Sequence, residues 1–306
     1  MHYHKPQASS QEKRLADATA ANIGIALAEV AGGLLSGSLA LLSDAIHNLA
    51  DTLSLVISYI AIRLSQRQHT EKHTFGLRRS EILAAFINSS LLIAISSFLI
   101  LEAFQRWLHP REINFHLMGW IALAGLIGNL AGMLLLHGIH KESVNIRSAY
   151  LHLLGDTVSS VAVIGGAIIM AFTGWHFVDP LLTIIISLYI GYEALHILRN
   201  AVSILLMAAP PGIDIQVISQ KIRQVDGISD IHHIHIWRLD DNTIHFEAHF
   251  RANADMSLKQ ADLLRVKAEE ILTTEFGIAH VTLQIEPKDH DNGCGNSLIE
   301  PEFVKH

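Results

Sequence analysis

Two short segments carry the same pair of side chains at the same spacing. His47-Asn48-Leu49-Ala50-Asp51 and His152-Leu153-Leu154-Gly155-Asp156 each set a histidine four residues before an aspartate. On a helix, positions i and i+4 share one face, so each segment presents an imidazole beside a carboxylate. Both segments lie inside long apolar stretches, where an ionisable group is costly and points to function. A lone intramembrane His or Asp is often a packing contact; two matched pairs on separate spans are harder to dismiss. If the two faces oppose, His47, Asp51, His152 and Asp156 offer two nitrogens and two oxygens, a tetrahedral set that suits zinc at about 2 Å. Two carboxylates cancel the charge of a divalent ion, which lowers the cost of carrying it through hydrocarbon. Once emptied, the two carboxylates repel each other and are poorly solvated, so protons must replace the departing metal. The constellation predicts a membrane transporter that exchanges a metal ion for protons.

The rest of the chain supplies the elements such a site needs. Half of its 306 residues are hydrophobic and 17% are charged, with a mean hydropathy of +0.33. A soluble protein carries about a quarter charged residues. Ile82 to Leu101, Leu117 to Leu136 and Thr157 to Trp175 are free of Asp, Glu, Lys and Arg. Each is near the ~20 residues that cross a bilayer. Leu15 to Leu35, Leu39 to Leu64 and Asp179 to Ile204 complete six spans, each interrupted by ionisable residues. Lys5, Lys13, Arg14, Arg63, Arg67, Lys72, Arg78, Arg79, Lys141 and Arg147 fall on one side, against Arg106 and Arg111 on the other. That bias predicts cytoplasmic termini. No apolar signal-peptide segment is expected in the polar first residues. A net charge of −7 gives nucleic-acid binding no support. The single Cys294 excludes an intramolecular disulfide.

Other polar residues in the spans carry less weight. Asp44 shares roughly the face of His47 and could hold a ligand histidine or line a water path. Glu29 and Asn129 read equally as packing or path-lining groups. Asp179, beside Pro180, reads as a helix cap.

After Pro210-Pro211-Gly212 the composition turns soluble-like. Helices over Ile213 to Val225 and Ser257 to Thr273, with strands over Asp230 to Arg238, Thr243 to Phe250 and Ala279 to Glu286, give an α-β-β-α-β, ferredoxin-like α+β domain. Strict alternation puts His233, His235 and Trp237 on one face with His245, Glu247, His249, His280, Thr282, Gln284 and Glu286, and the apolar residues on the other. A solvated polar face is the ordinary use of such alternation, but this density of histidine is unusual for one. The domain plan is an N-terminal arm (1–14), a six-helix transmembrane domain (15–209), a cytoplasmic domain (210–287) and a polar tail expected to be disordered (288–306). His2 and His4 in the arm read as a flexible terminus.

These motifs resemble the cation diffusion facilitator family of zinc transporters. The resemblance rests on the paired His-x-x-x-Asp, on Gly37-Ser38-Leu39-Ala40-Leu41-Leu42-Ser43-Asp44-Ala45, on His73-Thr74-Phe75-Gly76 with Arg79 and Glu81, and on His235-Ile236-Trp237 and Gln284-Ile285-Glu286. It covers roughly Leu15 to Pro287. It looks closest to the bacterial zinc-efflux branch, because no long His-rich loop occurs near His137 to Glu142. The resemblance implies a homodimer in the bacterial inner membrane that exports Zn2+ in exchange for protons by alternating access. It implies that His at position 47 favours zinc and cadmium over manganese or iron. It further implies a zinc site in the cytoplasmic domain at His235, His249 and Glu286, structural or regulatory, with His232 and His233 as further candidates and His73 as a loop candidate beside His69. The chain departs from the family at Leu206-Met207-Ala208-Ala209, where an acidic residue is common. Relatives often carry several cysteines or histidines in the tail, where this chain has Cys294 with nearby His290.

Two other classes compete. A membrane-anchored metal sensor would not need ionisable pairs inside its spans. A metalloenzyme would need an open coordination position, and no His-Glu-x-x-His occurs. A phosphate-binding Gly-x-x-x-x-Gly-Lys loop is also absent, which argues against ATP-driven pumping. Similar ligands would serve Co2+, Ni2+, Fe2+ or Mn2+, so the metal stays open on donor chemistry alone.

Overall fold

A computed structural model describes residues 7–137, 144–253, 255–288 and 298–299. The chain forms two compact units. The first comprises Met1–Ala61 and Ala84–Leu198, the second Ile62–Leu83 and Arg199–His306.

Six long helices come first: α1 (Gln7–Ser36), α2 (Leu39–Ser65), α3 (Ser80–Leu108), α4 (Phe115–His137), α5 (Val144–Thr173) and α6 (Val178–Leu205). Among the described residues, α2 to α6 are long and apolar enough to cross a membrane, while the apolar part of α1 is the shorter stretch Asn22–Ser36. Trp120, Phe172 and Tyr192 are exposed on these helices, as lipid-facing side chains would be. The helices outrun the apolar runs that betray them. Helix α1 begins eight residues before the expected Leu15, and α5 begins well before Thr157. Polar residues extend a helix readily once its apolar turns are anchored, because each added residue gains a backbone hydrogen bond.

The turn between α1 and α2 uses Gly37 at φ 73°, a left-handed conformation that only glycine adopts cheaply. Ser38 then caps α2, its Oγ accepting from the Leu41 N–H at 3.1 Å. A second cap comes from far along the chain. Asp179, at the start of α6, accepts from Ser38 Oγ at 2.5 Å, Leu39 N at 2.9 Å and Ala40 N at 3.2 Å. Asp179 therefore caps α2 rather than its own helix, and its charge lies at the positive end of the α2 dipole.

The second unit contains α7 (Ile215–Ile222), β1 (Ile228–Arg238), β2 (Ile244–Ala252), α8 (Leu258–Phe276) and β3 (His280–Pro287). The strand order is β1-β2-β3, with β1 antiparallel to β2 and β2 parallel to β3. Helix α8 is the crossover that a parallel pair requires. Asp214 caps α7, and Ser257 with Gln260 forms a reciprocal capping box on α8. Ile218 and Ile222 on α7 and Leu264, Ala268 and Leu272 on α8 pack on the apolar sheet face around Phe246 and Phe250.

The pairing of β1 with β2 shifts register twice, between Ile228 and Asp230 and between His232 and His235, and the second shift breaks the strict alternation expected of the histidine run. His232 pairs with His249, but the next pairs are His235 with Glu247 and Ile236 with Phe246. One extra residue is therefore bulged out, with His233 at φ 53°. The bulge puts His232, rather than His233, on the polar face with His235. It also takes the Ile234 N–H out of the ladder. That donor is satisfied by the Leu298 carbonyl at 2.9 Å, and Leu298 packs against the same core. The tail thus touches the sheet at a point where the sequence predicts no structure.

Candidate metal centres

In the first unit, α2 carries His47 and Asp51 one turn apart, and α5 carries His152 and Asp156 likewise. His47 is half-buried and Asp156 is buried. The side chains of Asp51 and His152 lie outside the described residues. Around the described pair, α2 and α5 touch: Ser159 of α5 lies beside Asp44 of α2. Ala40 and Leu41 share one buried cluster with Val163, Ala167 and Met170. A third helix joins them. Glu29 of α1, 1% exposed, accepts a hydrogen bond from Asn48 Nδ2 at 3.0 Å and lies in the electrostatic range of Asp44 and Asp156. The sequence singles out Glu29 and Asp44 but gives no sign that they share a neighbourhood.

Among the described residues, one group of three ligand-type side chains converges within 4.8 Å: His232, His249 and Glu286. Their strands explain it. His232 and His249 are cross-strand partners, and Glu286 lies on β3 opposite Arg251, one residue pair along on the same face. His232 Nε2 is 3.2 Å from Glu286 Oε2, and His249 Nδ1 is 2.9 Å from Glu286 Oε1. Two ligand atoms on a tetrahedral zinc stand about 3.3 Å apart, so the spacing fits a shared ion. His232 Nδ1 lies 3.3 Å from Asp230 Oδ2, the outer carboxylate that commonly orients a ligating imidazole. Burial pushes the His249 imidazole below its usual pKa; Glu286 opposes the shift and His233 and His232 add to it. It is therefore neutral at pH 7 and has a lone pair to donate.

His235 lies next to this group rather than in it. Its Nε2 is 3.2 Å from His233 Nε2, and the His233 ring stands 4.8 Å from that of His249. The His232-His233 doublet was the only hint in the sequence that the first histidine could take the inner position.

His73 belongs to the second unit, in a turn where it exchanges backbone hydrogen bonds with Thr70. It is exposed and joins no three-ligand group among the described residues. Nearby, Phe75 meets the His245 ring edge-on at 5.7 Å. Arg78 reaches Thr243 Oγ1 at 3.3 Å and Asp240 at 3.5 Å. His245 also stacks on Trp237 and lies 4.8 Å from His280. His2, His4, His290 and Cys294 lie outside the described residues.

Residues 15–206 match the family model of the cation efflux transmembrane domain. The chain belongs to the cation efflux family. Residues 210–288 match that family's cytoplasmic domain, so the second unit carries the cytoplasmic fold of a cation efflux protein. The cadmium, cobalt and zinc/H(+)-K(+) antiporter of Bacillus velezensis is 35% identical over 311 residues, covering 100% of this chain and 99% of that protein. The zinc transporter ZitB of Escherichia coli is 36% identical over 288 residues, 92% of this chain and 90% of ZitB. The metal cation efflux protein CzcD of Cupriavidus metallidurans is 36% identical over 260 residues, 85% and 82% of the two chains. The cation efflux chain described here is thus an integral membrane transporter of metal cations and not an enzyme.

Proposed function

We propose that this transporter exports zinc from the cytoplasm in exchange for protons, through a site formed by His47, Asp51, His152 and Asp156. The observation that carries the proposal is the register between α2 and α5. Ala40 and Leu41 cluster with Val163 and Ala167, and one turn on, Asp44 lies beside Ser159. The two helices therefore run antiparallel. Continuing the same register by one and two turns would bring position 47 level with 156, and 51 level with 152. In that register each histidine would face the aspartate of the opposite helix. Two nitrogens and two carboxylate oxygens suit zinc and leave the loaded site near neutral. Proton exchange follows from linkage, since the ligands must be deprotonated to bind metal. The relatives named for zinc and for cadmium, cobalt and zinc support this metal class, and the same donors would accept Cd2+ or Co2+.

In the cytoplasmic domain, His232, His249 and Glu286 would hold a second zinc, with His235 and His233 beside it as exchange or additional ligands. That zinc would stiffen the domain or report cytosolic metal rather than cross the membrane. Cytoplasmic termini agree with the charge bias of the loops, the bacterial relatives support an inner-membrane location, and the match to the family's cytoplasmic domain supports a homodimer. Zinc uptake into proteoliposomes under an imposed pH gradient tests the main reading. Asp51→Ala and Asp156→Ala should each abolish it. Parent-level uptake by both variants, or uptake indifferent to the gradient, overturns the reading.

A further inference from the structure

We propose that Glu29 is a positioning residue for the transport site and acts through Asn48. The proposal rests on the membrane-site reading above. Asn48 is fully buried and lies between His47 and Asp51 on α2. Successive residues turn a helix by about 100°, so fixing one side chain fixes the direction of its neighbours. The hydrogen bond from Asn48 Nδ2 to Glu29 Oε2 at 3.0 Å therefore sets the rotation of the turn that carries both α2 ligands.

Glu29 is itself held from behind. Its Oε1 lies over Gly125 of α4, where a Cβ would overlap it, and Gly128 receives Ile25 in the same way one turn along. Glycine at these two positions lets α1 lie against the α4 backbone. Helix α4 in turn seats α5, with Gly132 against Leu153 and Gly119 against Ala167. A chain of packed contacts thus runs from the α2 ligand turn through Glu29 and α4 to the segment bearing His152 and Asp156. Glu29 forms no ion pair with a Lys, Arg or His among the described residues. Its fixed task is the hydrogen bond, and an uncharged acceptor of the same shape can perform it.

The test is zinc transport by the full-length chain in proteoliposomes, with KM and turnover measured separately. Glu29→Ala and Asn48→Ala should each raise KM for zinc roughly tenfold, the equivalent of one buried hydrogen bond, with a smaller effect on turnover. The double variant should be no worse than either single one, because both remove the same contact. Glu29→Gln keeps the acceptor and should recover most of the loss, which also guards against a variant that simply fails to fold. The proposal is overturned if Glu29→Gln is as impaired as Glu29→Ala, or if the two alanine effects multiply. Asp156→Ala separates the two readings. If it transports normally, the membrane-site assignment is wrong. If it is inactive while Glu29→Ala behaves as the parent, only the role of Glu29 is lost.

Discussion

Replacing His232 by alanine should weaken zinc binding to the cytoplasmic site far more than replacing His235. The inner group consists of His232, His249 and Glu286, with ligand atoms within 4.8 Å of one another. His235 is tied to His233 instead, at 3.2 Å. A structural zinc site contributes about 10–16 kcal/mol, so one of three ligands is worth roughly 3–5 kcal/mol, or more than a hundredfold in affinity. Loss of a neighbour that only supports a ligand costs nearer tenfold. The measurement is zinc titration calorimetry on the full chain in detergent, with Asp51→Ala and Asp156→Ala removing the membrane site from the heat signal. His232→Ala should drop the remaining site by at least a hundredfold and His235→Ala by tenfold or less. The reverse order would mean that the strand binds metal in unbulged register and would refute the geometric argument.

Three further outcomes follow from the packing. Asp179→Ala strips three hydrogen bonds from the start of α2 and should cost about 2–3 kcal/mol, seen as a lower thermal midpoint in detergent. Leu272→Ala removes a fully buried side chain from the cytoplasmic core and should destabilise that domain by about 2–5 kcal/mol in denaturant titration. Burial, with His280 and Arg78, holds the His245 pKa below its ordinary 6.5. Between those two values the unfolded chain binds more protons, so stability should fall as pH drops below about 6.5 and be fully present above it. Denaturant midpoints at about pH 5.5 and about pH 7.5 should differ less in His245→Phe than in the parent.

Much of this architecture is legible in the sequence because it is written in local periodicity. The start of α2 at Leu39 follows from Gly37-Ser38, and the order of the cytoplasmic elements follows from alternation and turn residues. Contacts between distant residues leave no such mark. Asp179 reads as a cap from its place beside Pro180, yet the helix it caps begins at Leu39. The bulge in β1 escapes for a related reason. Alternation assumes one residue per step, and nothing in Ile231-His232-His233-Ile234 announces the extra one. The convergence of Glu29 on Asn48 depends on glycines in α4, which by themselves read only as small residues in a span.

The Leu298 carbonyl that closes the gap at Ile234 has a practical corollary. Leu298 completes the hydrogen bonding of the strand that carries the candidate ligand His232, so purification tags and truncations near residue 298 are not neutral changes. A chain trimmed short of that point would leave a naked amide beside His233, and any loss of zinc affinity would be misread as damage to the ligands themselves.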